Sequence, residues 1–398
     1  MSVHNARPGS VRKPHVVVIG AGYAGALAAN RLQQNRDIHI TIINPRPVFV
    51  ERVRLHELVA GTGNATVELA GLLGERVRLV IDTATRINST TRTVELESGS
   101  HVTYDYLIYA VGSTGAVPAS VPGAVEYAYP ISELEHAERL RATIDVLPDN
   151  APICVVGGGL TGIEAASELA EQRPHAKVTL LCGGILAPSV GEKARASVLR
   201  QLTKLGVIVE DEAVVAEVGP DRVRLSDGHS LPSAATVWTA GFGVPDLAAR
   251  SGLTTDGIGR LVTDETLTSV DDPWIFGAGD ASAPAGPQLR MSCQAAMPLA
   301  ARATSTVLAR IAGDEVKVLH QSFVGSNISI GRRHGTIAAA RQDDSPRSFY
   351  LGGRLAAFVK EMVCTTVVKQ IAKEGRRPGS YRWPGATKRP ASLDSVAG

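Results

Sequence analysis

Two short glycine-rich stretches constrain this chain more than anything else in it: GAGYAG at residues 20–25 and GGGLTG at residues 157–162. Each follows an apolar run rich in β-branched residues, HVVVIG (15–20) and PICVVGG (152–158), and each leads into helix formers, ALAANRLQ (26–33) and IEAASELAEQ (163–172). The pattern predicts a strand buried on both faces, a tight turn and a helix, twice. In such a unit the first glycine permits the sharp turn, the second lets the backbone approach a diphosphate, and the third lets the helix lie against the strand. The helix N-terminus offers unpaired N–H groups and a positive dipole end to the anion. The spacing gives these roles to Gly20, Gly22 and Gly25, and again to Gly157, Gly159 and Gly162. Tyr23, Ala24, Leu160 and Thr161 complete the two turns.

The duplication continues downstream. A hairpin with a Ser-Gly turn, TVELESGSHVTYDYLIYAVG (93–112), follows the first unit; one with an Asp-Gly turn, RVRLSDGHSLPSAATVWTAG (222–241), follows the second. They end in small residues, Ala110 and Gly112 in one case, Ala240 and Gly241 in the other. One architecture present twice implies two dinucleotides. A further apolar strand, DPWIFGAGDAS (272–282), runs into Gly279 and Asp280. An aspartate at a strand's C-terminal end lies where open α/β sheets bind ligands, and its carboxylate can accept a hydrogen bond from a sugar-like hydroxyl. Two departures stand out. The second strand of such a unit ordinarily ends in an acid that binds the adenosine ribose; here DIHITIIN ends at Asn44, which accepts only through its amide oxygen, and KVTLLC ends at Cys182. An acid repels a 2′-phosphate and Cys182 does not, yet no arginine follows to attract one, so the sequence leaves open whether the second dinucleotide carries that phosphate. Arg46, just past Asn44, reads as solvated.

A chain of 398 residues, 44% of them apolar, has room for two or three domains with substantial cores. The net charge of +2 gives no general attraction to nucleic acid. The four cysteines form no CxxC pair, which speaks against a zinc site or a dithiol centre and fits a reducing compartment; no metal site is expected. The N-terminal residues carry no apolar signal-peptide core, and no apolar run reaches the ~18 residues of a membrane span. The resulting expectation is a cytoplasmic protein, with peripheral contact on the inner face of the membrane as a further option.

The ordered set GAGYAG, YAVG, GGGLTGIE, WTAG and FGAGD resembles the two-dinucleotide-binding-domain flavoproteins of the pyridine nucleotide–disulfide reductase fold, over residues 15–315. The resemblance implies an α/β protein with two Rossmann-like domains, the NAD(P) domain inserted in the FAD domain, plus a C-terminal α+β segment. The expected bounds are a disordered arm (1–14), an FAD domain in two parts (15–125 and 263–315), an NAD(P) domain (126–262), a C-terminal region (316–374) and a basic flexible tail (375–398). FAD would rest on the first unit and the Asp280 segment, NAD(P)H on the second unit. Within the fold, VVGGGLTGIEAASELAE and LIYAVGSTGAVP are most similar to type II NADH:quinone oxidoreductases and apoptosis-inducing-factor-like quinone reductases. In that likeness Glu164 would face nicotinamide and flavin and relay a proton. Arg54, in PVFVERVRLHELVAGT (47–62), would lie near the flavin. Gln294 and Ala295 would open a helix aimed at the flavin's pyrimidine end. The relatives' AQxAxQ motif is here CQAAMP, with Pro298 in place of the second glutamine. Cys293 and His56 read as structural.

The implied activity is an FAD-dependent NAD(P)H dehydrogenase with a quinone acceptor. A ferredoxin-like partner, a biosynthetic dehydrogenase and a signalling flavoprotein are the alternatives. The C-terminal stretch FYLGGRLAAFVKEMVCTTVVKQIAKE predicts an amphipathic helix. Leu355, Phe358, Val359, Met362 and Val363 lie on one side, Lys360 and Glu361 on the other, and the TTVV run weakens its middle. Basic residues from Lys373 to Arg389, interleaved with Tyr381 and Trp383, make this arm a candidate membrane foot or a homodimer contact.

Overall fold

In the computed structural model, residues 12–286, 288–318 and 321–382 are described. Strand β1 (His15–Ile19) turns into helix α1 (Tyr23–Leu32) and returns as β2 (His39–Asn44). Helix α2 (Leu55–Ala60) and strand β3 (Val77–Ile81) follow, then a three-stranded antiparallel excursion and β4 (Tyr106–Tyr109). The second unit comprises β5 (Ala128–Pro130), α3 (Leu134–Val146), β6 (Pro152–Val156), α4 (Leu160–Gln172), β7 (Lys177–Leu181), α5 (Glu192–Lys204), β8 (Ile208–Glu210) and β9 (Ala235–Trp238). Strand β10 (Ile275–Gly277) and helix α6 (Cys293–Ala312) come next. The chain then forms β11 (Gly325–Ile330), β12 (His334–Ala340), β13 (Pro346–Gly352) and α7 (Arg354–Arg376).

Two parallel five-stranded sheets result, in the orders β10–β4–β1–β2–β3 and β5–β9–β6–β7–β8. The first sheet takes its edge strand β10 from beyond the second, so the second unit is an insertion into the first. A short antiparallel pair, Thr114–Gly115 with Phe242–Gly243, links the two.

The continuous apolar runs of β1 and β6 are explained by coverage of both faces. Val16 and Val18 pack with Leu27 of α1 and Leu299 of α6, while Val17 and Ile19 face Leu107 and Leu261. Ile153 and Val155 pack with Ile163 and Ala166 of α4. Each such side chain contributes ~1.5–3 kcal/mol when fully buried.

Helix α7 joins the parts. Its first half lies on the β11–β13 sheet. Its second half packs on α1, where buried Asn30 donates to the Ile371 carbonyl at 2.9 Å. Val367 and Val368 of the TTVV run sit against the first core, so packing overrides their weak helix propensity and the helix is unbroken.

Two expectations need correction. Lys360 and Glu361 do not form a solvent-facing side of α7: Lys360 points inward and Glu361 pairs with Arg54, while Leu355, Phe358 and Met362 are exposed. Lys360 turns inward because the Glu164 carboxylate awaits it, whereas Glu361 stays half-exposed while pairing with Arg54. Nor are residues 375–382 a loose tail. Buried Glu374 accepts from the backbone N–H groups of Gly379 (2.7 Å) and Tyr381 (2.6 Å) and pairs with Arg31, folding the segment back. Residues 1–11 of the expected arm and 383–398 of the expected tail lie outside the described residues.

Candidate functional site

The two glycine turns have matching geometry. Gly20 has φ +95° and Gly157 has φ +117°, a region costly for residues with a Cβ. Their N–H groups donate to Ile43 O and Leu181 O, each at 2.8 Å. A Cβ on Gly25 would lie 1.7 Å from Gly20 O, and one on Gly162 would lie 1.9 Å from Gly157 O, so both helices ride directly on their turns. At Gly22 and Gly159 a Cβ would meet nothing within 4 Å. That open space, beside a helix N-terminus, is the cradle a diphosphate needs. Tyr23 and Ala24 in one turn, Leu160 and Thr161 in the other, form the first helical turn. Ala110 N donates to Ile19 O (2.9 Å) and Thr239 N to Val156 O (2.8 Å), bringing the Ala110–Gly112 and Ala240–Gly241 ends beside their turns.

The first turn has an additional cover. Gly279 (φ +75°) passes so close to α1 that a Cβ there would lie 2.8 Å from Ala24 Cβ. This sets Asp280 beside the turn. Its Oδ2 accepts from Ser113 Oγ at 2.8 Å, and Arg52 Nη1 donates to the same hydroxyl at 2.8 Å. Oδ1 is buried without a partner, and burial raises the carboxyl's pKa. A buried acceptor with no donor is costly; a ribityl hydroxyl would satisfy it. The open cradle and this orphaned oxygen fit FAD. The N-terminus of α6, starting at Cys293 with Ala295 buried in its first turn, lies over the same place.

Glu164 lies at the centre of a second, buried cluster. Its Oε1 accepts from Lys360 Nζ at 2.8 Å, Ser329 N at 3.0 Å and Ser329 Oγ at 3.1 Å. Oε2 lies 3.9 Å from His56 Nδ1, and His56 Nε2 is 3.3 Å from Ser329 Oγ. Because the serine hydroxyl proton goes to Glu164, the imidazole Nε2 is the donor in the latter contact. Four elements therefore meet here: α2, α4, β11 and α7. Burial works against the charge on Glu164, but Lys360, His56 and Ser329 outweigh it and its pKa is lowered. Burial likewise opposes the Lys360 ammonium, and the Glu164 carboxylate reverses the effect, so its pKa is raised. Burial lowers His56 and keeps it neutral. One turn along α4, Glu168 is fully buried with Thr62 donating to it, and burial lifts its pKa to about 7.

Other expected contacts lie differently. Arg54 is engaged by three carboxylates, Glu51 (3.2 Å), Glu57 (3.0 Å) and Glu361 (2.6 Å). Asn44 Oδ1 accepts from Ala21 N at 2.9 Å and its Nδ2 donates to Arg46 O, so its amide braces the turn itself. Arg46 pairs with Glu135. Gln294 bridges Gly325 O (3.1 Å) and Val324 N (3.0 Å), tying α6 to the approach of β11. Pro298 sits inside α6 and has no N–H for Gln294 O; Gln321 Nε2 fills that role at 3.2 Å. Sequence reasoning missed Lys360 as a site residue, along with Ser329, Ser113 and Arg52. The one available signal was a lysine within the helical pattern, and it pointed outward.

The sequence matches the pyridine nucleotide-disulphide oxidoreductase family over residues 14–305. An NADH dehydrogenase-like protein of Mycobacterium tuberculosis is 31% identical over 322 residues, 74% of this chain and 80% of that protein. A type II NADH:quinone oxidoreductase of Staphylococcus epidermidis is 26% identical over 405 residues, 90% of this chain and 96% of that protein. The fold is also that of the sulfide:quinone oxidoreductase from Aquifex aeolicus, with TM-score 0.78, 21% identity, and coverage of 91% of this chain and 92% of that one.

Proposed function

The chain belongs to the pyridine nucleotide-disulphide oxidoreductase family, and on that premise we propose that it is an FAD-dependent NAD(P)H dehydrogenase passing electrons to a quinone. FAD, when bound, supplies the redox chemistry: it takes hydride from the nicotinamide and gives two electrons to the acceptor. The chain's own residues bind, orient and handle the proton. The turn at Gly20–Gly25 and Asp280 hold FAD; the turn at Gly157–Gly162 holds NAD(P)H. The N-terminus of α6, whose Ala296 lies by Gly279, would offer a positive dipole end to the negative charge of the reduced cofactor.

The buried Glu164–Lys360 pair is the observation that carries the choice of acceptor. NADH and a quinone give NAD⁺ and a quinol only if one further proton enters from solution. Lys360 holds that proton at Nζ, Glu164 orients the ammonium and favours its reprotonation from solution, and His56 stays neutral beside them. A one-electron iron–sulfur acceptor takes no proton, so there the hydride's proton would have to leave to solution, and a group that holds a proton ready for the acceptor would not be needed. Rapid mixing tests the assignment. Lys360→Met and Glu164→Gln are expected to keep flavin reduction by NADH within about tenfold while slowing quinone reduction by ~10²–10⁴. Equal slowing of both steps would contradict it.

The membrane contact is proposed on the exposed stripe of α7. Leu355, Phe358 and Met362 recur on one face beside exposed Phe349 of β13, with Arg347 and Arg354 adjacent. No helix among the described residues is long and apolar enough to cross a membrane. The stripe supports a peripheral foot that brings a lipid-soluble acceptor to the Lys360 end of the same helix. Phe358→Ser should release the protein from anionic vesicles in flotation; unchanged flotation with a shift from dimer to monomer would assign the stripe to a homodimer instead.

A further inference from the structure

Of the departures in the second unit, the strand end at Cys182 is the one whose consequence the fold reveals. Cys182 follows β7 directly, at the place where a mononucleotide-binding unit meets the adenosine ribose. Its side chain lies under the glycine turn, where a Cβ on Gly158 would come within 2.7 Å of Cys182 Cβ. It has neither the charge nor the reach to bind a ribose diol.

The neighbouring strand supplies what is missing. β8 pairs with β7 in parallel, Leu181 opposite Glu210, and Cys182 N donates to Glu210 O at 2.9 Å. The next residue, Asp211, therefore stands beside Cys182 at the same sheet edge. Its backbone carbonyl accepts from Gly184 N at 3.0 Å, and its Oδ1 accepts from Leu186 N at 2.9 Å. These bonds fix the carboxylate against the loop that follows β7. Burial and the adjacent Asp211 carboxylate together push the Cys182 thiol up to about 12. Glu210, Asp211 and Glu212 are all exposed, and Asp211 stands in no ion pair among the described residues. The loop 183–191, GGILAPSVG, contains no lysine or arginine.

We propose that Asp211, carried by the end of β8, supplies the anionic group that the strand end at Cys182 lacks, so that the second turn takes a coenzyme with a free adenosine 2′-hydroxyl, NADH, and rejects its 2′-phosphorylated counterpart. With Oδ1 held by Leu186 N, the exposed carboxylate would accept a hydrogen bond from a ribose hydroxyl through Oδ2. A 2′-phosphate would bring close to two negative charges against a fixed carboxylate, with no lysine or arginine in the loop 183–191 itself to offset them. The proposal rests on reading the second turn as the pyridine-nucleotide cradle, and it is independent of the acceptor.

Calorimetric titration of the FAD-loaded protein with NAD⁺ and NADP⁺, and with 5′-AMP and 2′,5′-ADP as adenosine-end probes, tests it without turnover. Wild type is expected to bind NAD⁺ at least about 100-fold more tightly than NADP⁺, with the same preference for 5′-AMP over 2′,5′-ADP. Asp211→Asn, which keeps the acceptor for Leu186 N, should narrow both ratios about tenfold, mainly by strengthening binding of the 2′-phosphorylated partner. In wild type the ratio should also shrink as salt is raised, a measurement that needs no variant. Equal binding of the two coenzymes by wild type, or an unchanged ratio in Asp211→Asn, overturns the proposal. Binding of neither dinucleotide would remove the reading of the second turn, and the Asp211 assignment with it.

Discussion

The two glycine turns are built alike and covered differently. Both have a first glycine at positive φ, a strand N–H bond of 2.8 Å, a third glycine pressed on the first carbonyl and an open middle position. At the first turn the β10–Asp280 segment and the N-terminus of α6 close over the cradle, and a buried carboxylate oxygen waits unpaired. At the second turn the neighbours are instead the loop after β7, whose Ala187 N donates to Gly158 O at 2.8 Å, the exposed carboxylate of Asp211 and the buried Glu164–Lys360 pair. On the proposed reading one local motif serves a resident and a visiting nucleotide, and the difference between the two turns comes from which distant segments the insertion brings to each.

Breaking each turn in the same way should separate those roles. Gly25→Ala forces a Cβ into Gly20 O and Gly162→Ala forces one into Gly157 O. The first variant is expected to purify without yellow colour. The second should keep FAD and lose NADH binding by at least ~100-fold, read from flavin absorbance and from NADH titration. Loss of FAD from both would erase the distinction.

A smaller effect is expected on the second unit's helix. The Glu168 carboxyl is raised to about 7 by burial, so the folded state binds its proton more tightly than the unfolded chain, where the value is about 4.3. Its contribution is favourable below that unfolded value and is lost as pH rises to about 7, by up to ~3 kcal/mol. Denaturant unfolding between pH 5 and 8 should show this loss in wild type, and Glu168→Gln should flatten it. On the first turn, Asp280→Asn removes a charged acceptor worth ~1.5–3 kcal/mol, so FAD affinity should fall by about 10–100-fold with NADH affinity unchanged. The smallest effect belongs to the brace behind the first cover: Gln321→Ala leaves Gln294 O unpaired next to Pro298 and should cost ~1 kcal/mol in thermal or denaturant unfolding.

The turns were legible in the sequence because a GxGxxG turn is a local backbone requirement, and Gly20, Gly25, Gly157 and Gly162 are each demanded by contacts within a few residues of themselves or by one adjacent strand. Asp280 was legible for the same reason, as a strand end. The polar groups around them were not. Lys360 looked outward because helical periodicity distinguishes faces by hydrophobicity, and it cannot register that a buried carboxylate 196 positions away will hold an ammonium. Arg54 looked like a cofactor ligand because its three carboxylate partners include Glu361, far along the chain. Asn44 reads as a ribose acceptor, and the sequence does not show that its amide also braces the turn by accepting from Ala21 N. Cys182 looked like a missing acid, because strand order, which sets Asp211 next to it, is not written in either segment alone.

Anaerobic rapid mixing of the FAD-loaded protein tests the central claim most directly. NADH should bleach the flavin in a single phase, and a short-chain quinone should restore its colour within one turnover, with that second phase slowed in Lys360→Met. A polypeptide that takes up no FAD, or a flavin that NADH reduces and no quinone reoxidises, would contradict the account.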